Sequence, residues 1–391
     1  MLRSCDRPVC LSLISAVAFL AVTCAPLVWC FPQNTGSGQE MRTLCNACAI
    51  ETAGKQEEPP DPNAKPQKCR ICGTATLDAS IGESICEPCA HAELQCRRCL
   101  LSMGWPEHLD KIEPAHNRIY FISDRDGEQE IFSMTEDGKD VRQLTKNDFY
   151  DADPSVSPDG RWIAFVSLRS NRPDLFIVDV HGKHERRLTN NDPQLEEGGP
   201  TWDPSGETLV FTIHRTTDGQ GEPPREFHRI RRDGLCLRKV EVEGHFVACW
   251  TPDISPDGCT MLFSHYLKKG APQHIFSRND SGVAEQLTNV PHNYYPSFSP
   301  DGSKILFAST RDTCWEIYVM SPDGSAQTRI TNNKFHDAMP CWSPDGTKIA
   351  FVRGVEEKGA KNQEIFVMNA DGTGEVRLTG SARVDHSPSW R

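Results

Sequence analysis

The sequence predicts an all-β protein: a six-bladed β-propeller closed by its own C-terminal strand, behind a small N-terminal cysteine-rich module. Three observations predict it. The first is a repeated phrase. Residues 296–331 read Pro-Ser-Phe-Ser-Pro-Asp-Gly, Ser-Lys-Ile-Leu-Phe-Ala-Ser, Glu-Ile-Tyr-Val-Met and Thr-Arg-Ile-Thr, and residues 340–379 repeat it as Pro-Cys-Trp-Ser-Pro-Asp-Gly, Thr-Lys-Ile-Ala-Phe-Val, Glu-Ile-Phe-Val-Met and Val-Arg-Leu-Thr. A period of about 40–45 residues with four short strands marks a propeller blade. The second is turn chemistry. Ser299-Pro300-Asp301-Gly302 places Pro where its fixed φ suits a turn and Gly at the fourth position, and Asp323-Gly324 marks a second turn. The third is a missing piece. The earliest copy, Arg118-Ile-Tyr-Phe, Glu130-Ile-Phe and Val141-Arg-Gln-Leu-Thr145, has no opening strand, while Ser387-Pro-Ser-Trp390 is a spare one that matches Pro340-Cys-Trp342.

In chain order, Arg3, Asp6 and Arg7 precede a stretch without charge that lasts to Glu40, and Val9 to Val28 is strongly apolar. Residues 1–30 read as an export signal. A retained membrane or lipid anchor is the alternative, since the run nears the roughly 20 residues that span a bilayer, and Cys24 and Cys30 follow the apolar core. Either way the expected location is periplasmic or otherwise extracytoplasmic, with membrane contact through this segment alone.

Residues 40–104 form the cysteine-rich module. Of 17 cysteines, 12 lie before residue 100, and eight form evenly spaced pairs: Cys45/Cys48, Cys69/Cys72, Cys86/Cys89 and Cys96/Cys99. Two thiolates on one tight knuckle reach one tetrahedral metal, and two knuckles complete a four-sulfur zinc site. The set suits two structural zinc ions in a zinc-ribbon-like arrangement. Disulfides are the rival, because an exported chain meets oxidising conditions. Ala49, Gly73, Ala90 and Leu100 follow the pairs where haem attachment would need His.

The propeller occupies residues 115–391. The glycine ending the first turn recurs at Gly160, Gly206, Gly258, Gly302 and Gly346, at gaps of 46, 52, 44 and 44 residues. With the earliest copy, that makes six units. Ile305 to Phe307 should be buried on both faces. One unit cannot bury two apolar faces, so units must stack, and a ring leaves only short edges. The third unit is the weakest copy, with the turn Asp203-Pro-Ser-Gly206 and a polar insertion at Thr216 to Pro224. The propeller cysteines Cys236, Cys249, Cys259, Cys314 and Cys341 read as small buried hydrophobes.

Three residues before each strand proline stand Asp151, Glu197, Cys249, Asn293, Asp337 and Asp385, with Tyr150, His292, His336 and His386 beside them. Blade symmetry brings these to one mouth of the central channel. Four acids among six predict an electronegative funnel for a cation or a basic or polar peptide.

The wording of the repeats resembles the WD40-like (PD40) repeats of the TolB-type β-propeller. In that family the propeller docks an outer-membrane lipoprotein that holds peptidoglycan, so the resemblance implies a protein partner in the cell envelope. This chain departs from the family in carrying a cysteine-rich module where the family has an α/β domain. Related propellers also serve serine peptidases and oligogalacturonate lyases, the latter with metal-binding histidines.

A formal charge of −12 argues against nucleic acid as partner. There is no Gly-x-Ser-x-Gly, phosphate loop or His-Glu-x-x-His. The function expected is therefore a non-enzymatic exported scaffold that binds a protein or peptide at the channel mouth. The alternative is a polysaccharide- or peptide-processing lyase or hydrolase with its site in the channel.

Overall fold

β-Branched and aromatic runs, each bounded by a Ser-Pro-Asp-Gly or Asp-Gly turn, form six four-stranded antiparallel sheets. The computed structural model describes residues 112–391 except 171, 190–193, 216–224, 244–247, 267–270, 313, 358–359 and 381–382. The export segment (residues 1–30) and the cysteine-rich module, with Cys45, Cys48, Cys69, Cys72, Cys86, Cys89, Cys96 and Cys99, lie outside the described residues.

Each sheet is a blade whose strands a to d run outward from the axis. Blade 2 shows the plan: a Asp151–Val156, b Trp162–Ser167, c Asp174–Asp179, d Arg186–Arg187. The a strands of the six blades contact one another in a closed ring and so line the channel. They are Asp385–Trp390 in blade 1, then Asp151–Val156, Leu195–Trp202, Ala248–Ile254, Asn293–Phe298 and Asp337–Trp342. Blade 1 is completed as expected. Its a strand comes from the C-terminus and pairs with Arg118–Ser123, Ile119 opposite Trp390 and Ser123 opposite Asp385.

The b strands are apolar because blades stack on both of their faces. Ile305–Ser309 is buried along its whole length. Apolar clusters form at the blade interfaces. Tyr120, Ile122 and Ile131 of blade 1 pack on Ile163 and Phe165 of blade 2. Ile119, Phe121 and Phe132 meet Ala350, Ile365 and Val367 of blade 6. The tryptophan of the Pro-x-Trp phrase staples neighbours: Trp202 Nε1 donates to Ser155 O of the preceding blade at 2.8 Å, and Trp342 Nε1 to Ser297 O at 3.4 Å.

The turns behave as their residues dictate. Ser157 Oγ accepts from Trp162 N at 2.9 Å, Gly160 N bonds Ser157 O at 2.9 Å, and Gly160 sits at φ +66°. In the c–d turns, Gly182, Gly324 and Gly372 press on the preceding blade: a Cβ would lie 2.5 Å from Leu144 O, Leu287 O and Ile330 O respectively. Blade 6 carries an extended hairpin, Lys348–Glu357 paired with Ala360–Asn369, whose ladder continues past Arg353 to Glu357 opposite Ala360. Among the propeller cysteines, Cys314 and Cys341 carry free thiols, whereas Cys236 is disulfide-bonded. The reading as a small hydrophobe is thus corrected for Cys236.

Candidate functional site

The a strands all begin at one face of the ring, where the b strands end and the c strands start. This face carries the residues singled out by spacing. The structure brings Asp151, Glu197, Asn293, Asp337 and Asp385 to equivalent positions, but inside the blades rather than in the channel. Glu197 is 3% exposed and the other four are fully buried.

A buried carboxylate needs a partner, and each has one. Asp385 pairs with Arg125 (2.9 Å) and Asp151 with Arg169 (3.1 Å). Asp337 accepts two bonds from Arg353, at 2.7 and 2.8 Å. Asn293 accepts from Arg311 at 2.8 Å. Glu197 accepts from Leu175 N at 2.9 Å and from the Thr189 hydroxyl. The arginines lie over paired aromatics of their own blades. Arg169 Cζ is 4.5 Å from the Phe176 ring centre, Arg311 4.4 Å from Tyr318 and Arg353 4.8 Å from Phe366. Spacing missed these arginines. Their signal was present as Ser123-x-Arg125, Ser167-x-Arg169 and Ser309-x-Arg311 at b-strand ends; in each, the Ser hydroxyl accepts from Arg Nε, at 2.8, 2.8 and 3.0 Å.

The network also joins blades. Asn147 Nδ2 donates to Glu130 (3.2 Å) of blade 1 and to Asp151 (3.0 Å) of blade 2. Asn333 does the same between blades 5 and 6, its N to Glu316 (3.1 Å) and its Nδ2 to Asp337 (2.7 Å). The expected funnel of free acids is therefore a neutralised frame that holds the entry loops.

The histidines have separate fates. His292 is exposed at φ +63°. His336 is exposed, and its Nδ1 accepts from Trp315 N at 3.3 Å. His386 is half-buried between Gln129 Oε1 (3.1 Å) and Ser387 Oγ (2.9 Å), and burial lowers its pKa. Among the described residues, no three His, Cys, Asp or Glu side chains gather as a metal site.

What faces the axis is a different ring, the residue just before each strand proline: Asp153, Gly199, Thr251, Tyr295, Met339 and Ser387. All six have positive φ, between 47° and 56°. In blades 2 to 6 the register with strand b shifts across this step, as between Ala152 and Ser155. Proline has no N–H for the ladder, so the chain bulges there. The bulge breaks the two-residue alternation, turning the residue three before proline into the blade and the residue one before it toward the channel. Neighbours in this ring touch: Ser387 Oγ lies 3.6 Å from Met339 Sδ, and Gly199 N donates to Asp153 Oδ2 at 3.4 Å.

Asp153 and Tyr295 come from opposite blades; burial raises the Tyr295 pKa, and the Asp153 charge adds to the rise. Burial, with Asp153 adding to it, raises Tyr150 in the same way. One step beyond proline, Asp253 accepts from Phe298 N at 2.7 Å; burial lifts it to about 6, while Arg391 from the opposite blade pulls it down.

Around the mouth lie aromatic side chains. Phe149 is 41% and Tyr150 36% exposed. Tyr294, Tyr295 and Trp315 are half-buried and cluster, the Tyr294 and Trp315 rings 4.7 Å apart.

The comparisons with known proteins agree with this architecture. The protein has the fold of TolB from Acinetobacter baumannii, with TM-score 0.58 at 18% identity over 75% of this chain and 69% of that one. It also superposes on hydrazine synthase from Kuenenia stuttgartiensis, with TM-score 0.52 at 14% identity over 72% of this chain and 47% of that one. A chain of a nidogen/laminin complex gives 0.52 at 9% identity, covering 70% and 97%. At such identities the likeness is one of fold. No curated protein matches the chain. The pattern that defines the PD40 family, the TolB beta propeller domain, matches residues 110–222 and 232–390, and the chain belongs to that family.

Proposed function

We propose that this protein is a non-enzymatic, extracytoplasmic scaffold that receives a protein or peptide segment at the channel mouth. One observation carries the reading: the face where the a strands begin carries Phe149 and Tyr150 on one side and the cluster of Tyr294, Tyr295 and Trp315 on the other, with Val290 exposed. Exposed and half-buried aromatics around a concave opening supply the large, rigid contacts that interfaces use. His292 and His336 stand on the same rim, and the buried Asp151, Glu197, Asn293, Asp337 and Asp385 hold the entry loops. The partner class the family resemblance suggests is a cell-envelope lipoprotein.

Two further features support an extracytoplasmic place: the apolar segment Val9 to Val28 and the disulfide at Cys236. The cysteine pairs before residue 100 would hold two structural zinc ions, with disulfides as the alternative; metal analysis of the purified protein, with and without reductant, separates these.

The test is cross-linking in intact cells followed by capture of tagged protein. The native form should bring down an envelope protein, and Phe149→Ala/Tyr150→Ala/Trp315→Ala should lose it while melting normally. Capture unchanged by that triple substitution would refute the reading.

A further inference from the structure

Buried carboxylates at the entry face are all satisfied: Glu130 and Glu197 accept from hydroxyls and amides, and the others have a guanidinium against them. Asp385 has Arg125 at 2.9 Å, Asp151 has Arg169 at 3.1 Å, Asp337 has Arg353 at 2.7 Å and Glu364 has Arg377 at 3.0 Å. Asp174 has Arg172 at 3.0 Å, and Glu316 has Arg329. Asp153 differs. Among the described residues its only polar partner is the Gly199 amide, at a long 3.4 Å, and no arginine or lysine pairs with it.

Its position is equally unlike the others. The paired acids lie inside blades, whereas Asp153 reaches water inside the channel. Wall atoms crowd it all the same, and burial raises its pKa above the usual carboxylate range, against the pull of the Gly199 amide. The next residue round the ring is Gly199, which has no side chain to fill the space beside the carboxylate. Two phenols feel its charge, Tyr150 on the entry loop and Tyr295 in the blade opposite. The corresponding positions in the other blades are Gly, Thr, Tyr, Met and Ser, so this negative charge is not part of the repeat's structural frame.

We infer that Asp153 anchors a cationic side chain, a lysine ammonium or an arginine guanidinium, carried on the segment that enters the channel, with Tyr150 and Tyr295 flanking it. This rests on the mouth being a binding site for an inserted protein segment. The chemistry is that of a carboxylate whose missing complement is a monocation. A guanidinium would gain a charge-assisted bond in a crowded site, and the phenol faces add cation–π attraction. A divalent metal suits the site poorly, since it wants about six oxygen ligands and one carboxylate with two phenols falls short.

The experiment uses the full-length protein and three small probes: n-butylammonium, n-butylguanidinium and n-butanol, titrated at pH 8 and low salt by saturation-transfer NMR. Both cations should bind saturably and more tightly than butanol, and 0.5 M NaCl should weaken them (~4 Å Debye length). Asp153→Asn and Asp153→Ser, the latter the residue blade 1 carries at this position as Ser387, should each cost about tenfold or more in cation affinity. Two variants guard against a folding artefact in either. Butanol binding as well as the cations, or cations binding the variants unchanged, overturns the inference. Which cation binds tighter tells lysine from arginine on the entering segment. The cellular capture separates the two levels of the argument. Capture that survives Asp153→Ser, with no cation binding, sinks the anchor and leaves the scaffold standing. Asp153-dependent cation binding, with capture indifferent to the rim aromatics, keeps the anchor and sinks the scaffold's aromatic mouth.

Discussion

Arg353 shows how this fold treats charge at the level of one residue. It is 7% exposed, makes two bonds to the fully buried Asp337, and also binds Glu375 at 2.7 and 3.0 Å. Removing one partner strands the other in a poorly solvated place. Asp337→Ala should therefore cost about 3–5 kcal/mol in urea unfolding, and Asp337→Ala/Arg353→Leu should recover part of that loss; no recovery would mean the two are not coupled. Glu130 behaves differently. Burial lifts its carboxyl from 4.5 to about 7, with the Asp151 charge adding to the rise and bonds from Thr145 and Asn147 opposing it. A raised acid takes up a proton on folding, so its contribution favours the fold fully below about pH 4.5 and is lost as the pH climbs through about 7. Glu130→Gln stays neutral throughout. Its melting temperature relative to the native protein should improve by a few degrees between pH 5 and pH 8 (about 2–4 °C per kcal/mol), and a difference independent of pH would contradict this. Asp337 could be placed on the entry face from the sequence, but its burial, like that of Glu130, could not. That depended on Arg353 and Asn147, whose side chains reach them across a strand and across a blade boundary, beyond anything strand alternation describes.

At the level of the element, the turns separate two roles of glycine. Gly258, at φ +74°, has open space where a Cβ would stand, with no atom within 4 Å, whereas at Gly324, φ +81°, a Cβ would lie 2.5 Å from Leu287 O. Gly258→Ala should lose about 1 kcal/mol from its left-handed conformation alone. Gly324→Ala must also push blade 5 off blade 4, and should lose several times more by thermal or urea melts. Equal losses would show that the c–d turn is free to shift. The Asp-Gly signal located both turns but not the neighbouring blade. The extended blade 6 hairpin was likewise unmarked: Gly354-Val-Glu-Glu-Lys-Gly-Ala360 has the composition of a loop, and its strands continue only because the ladder beneath them sets their register. The channel-facing side of strand a was hidden for a related reason: its proline causes the bulge that exchanges which side chains see the channel.

For the whole molecule, the repeat period made the ring and its closure legible, because a blade can bury its faces only against other blades. The cysteines report on the environment of that ring. Burial pushes the Cys341 thiol up to about 12, and Cys236 is already bonded. In the native protein at pH 8, iodoacetamide should spare both, and reductant should expose Cys236 but not Cys341, as peptide mass spectrometry would show; modification of Cys341 without unfolding would contradict its burial. Blade 1 also ties the two ends of the ring together. Its b strand, Arg118–Ser123, is buried at every position and is paired on one side by Asp385–Trp390. On the ribosome, five blades' worth of chain must be made before that partner exists. A nascent chain thus carries an open, apolar strand edge from Ser123 until Asp385 is made, and such edges invite pairing with other chains. Production of this protein should accordingly depend on a holding chaperone more than its finished, short-edged ring would suggest.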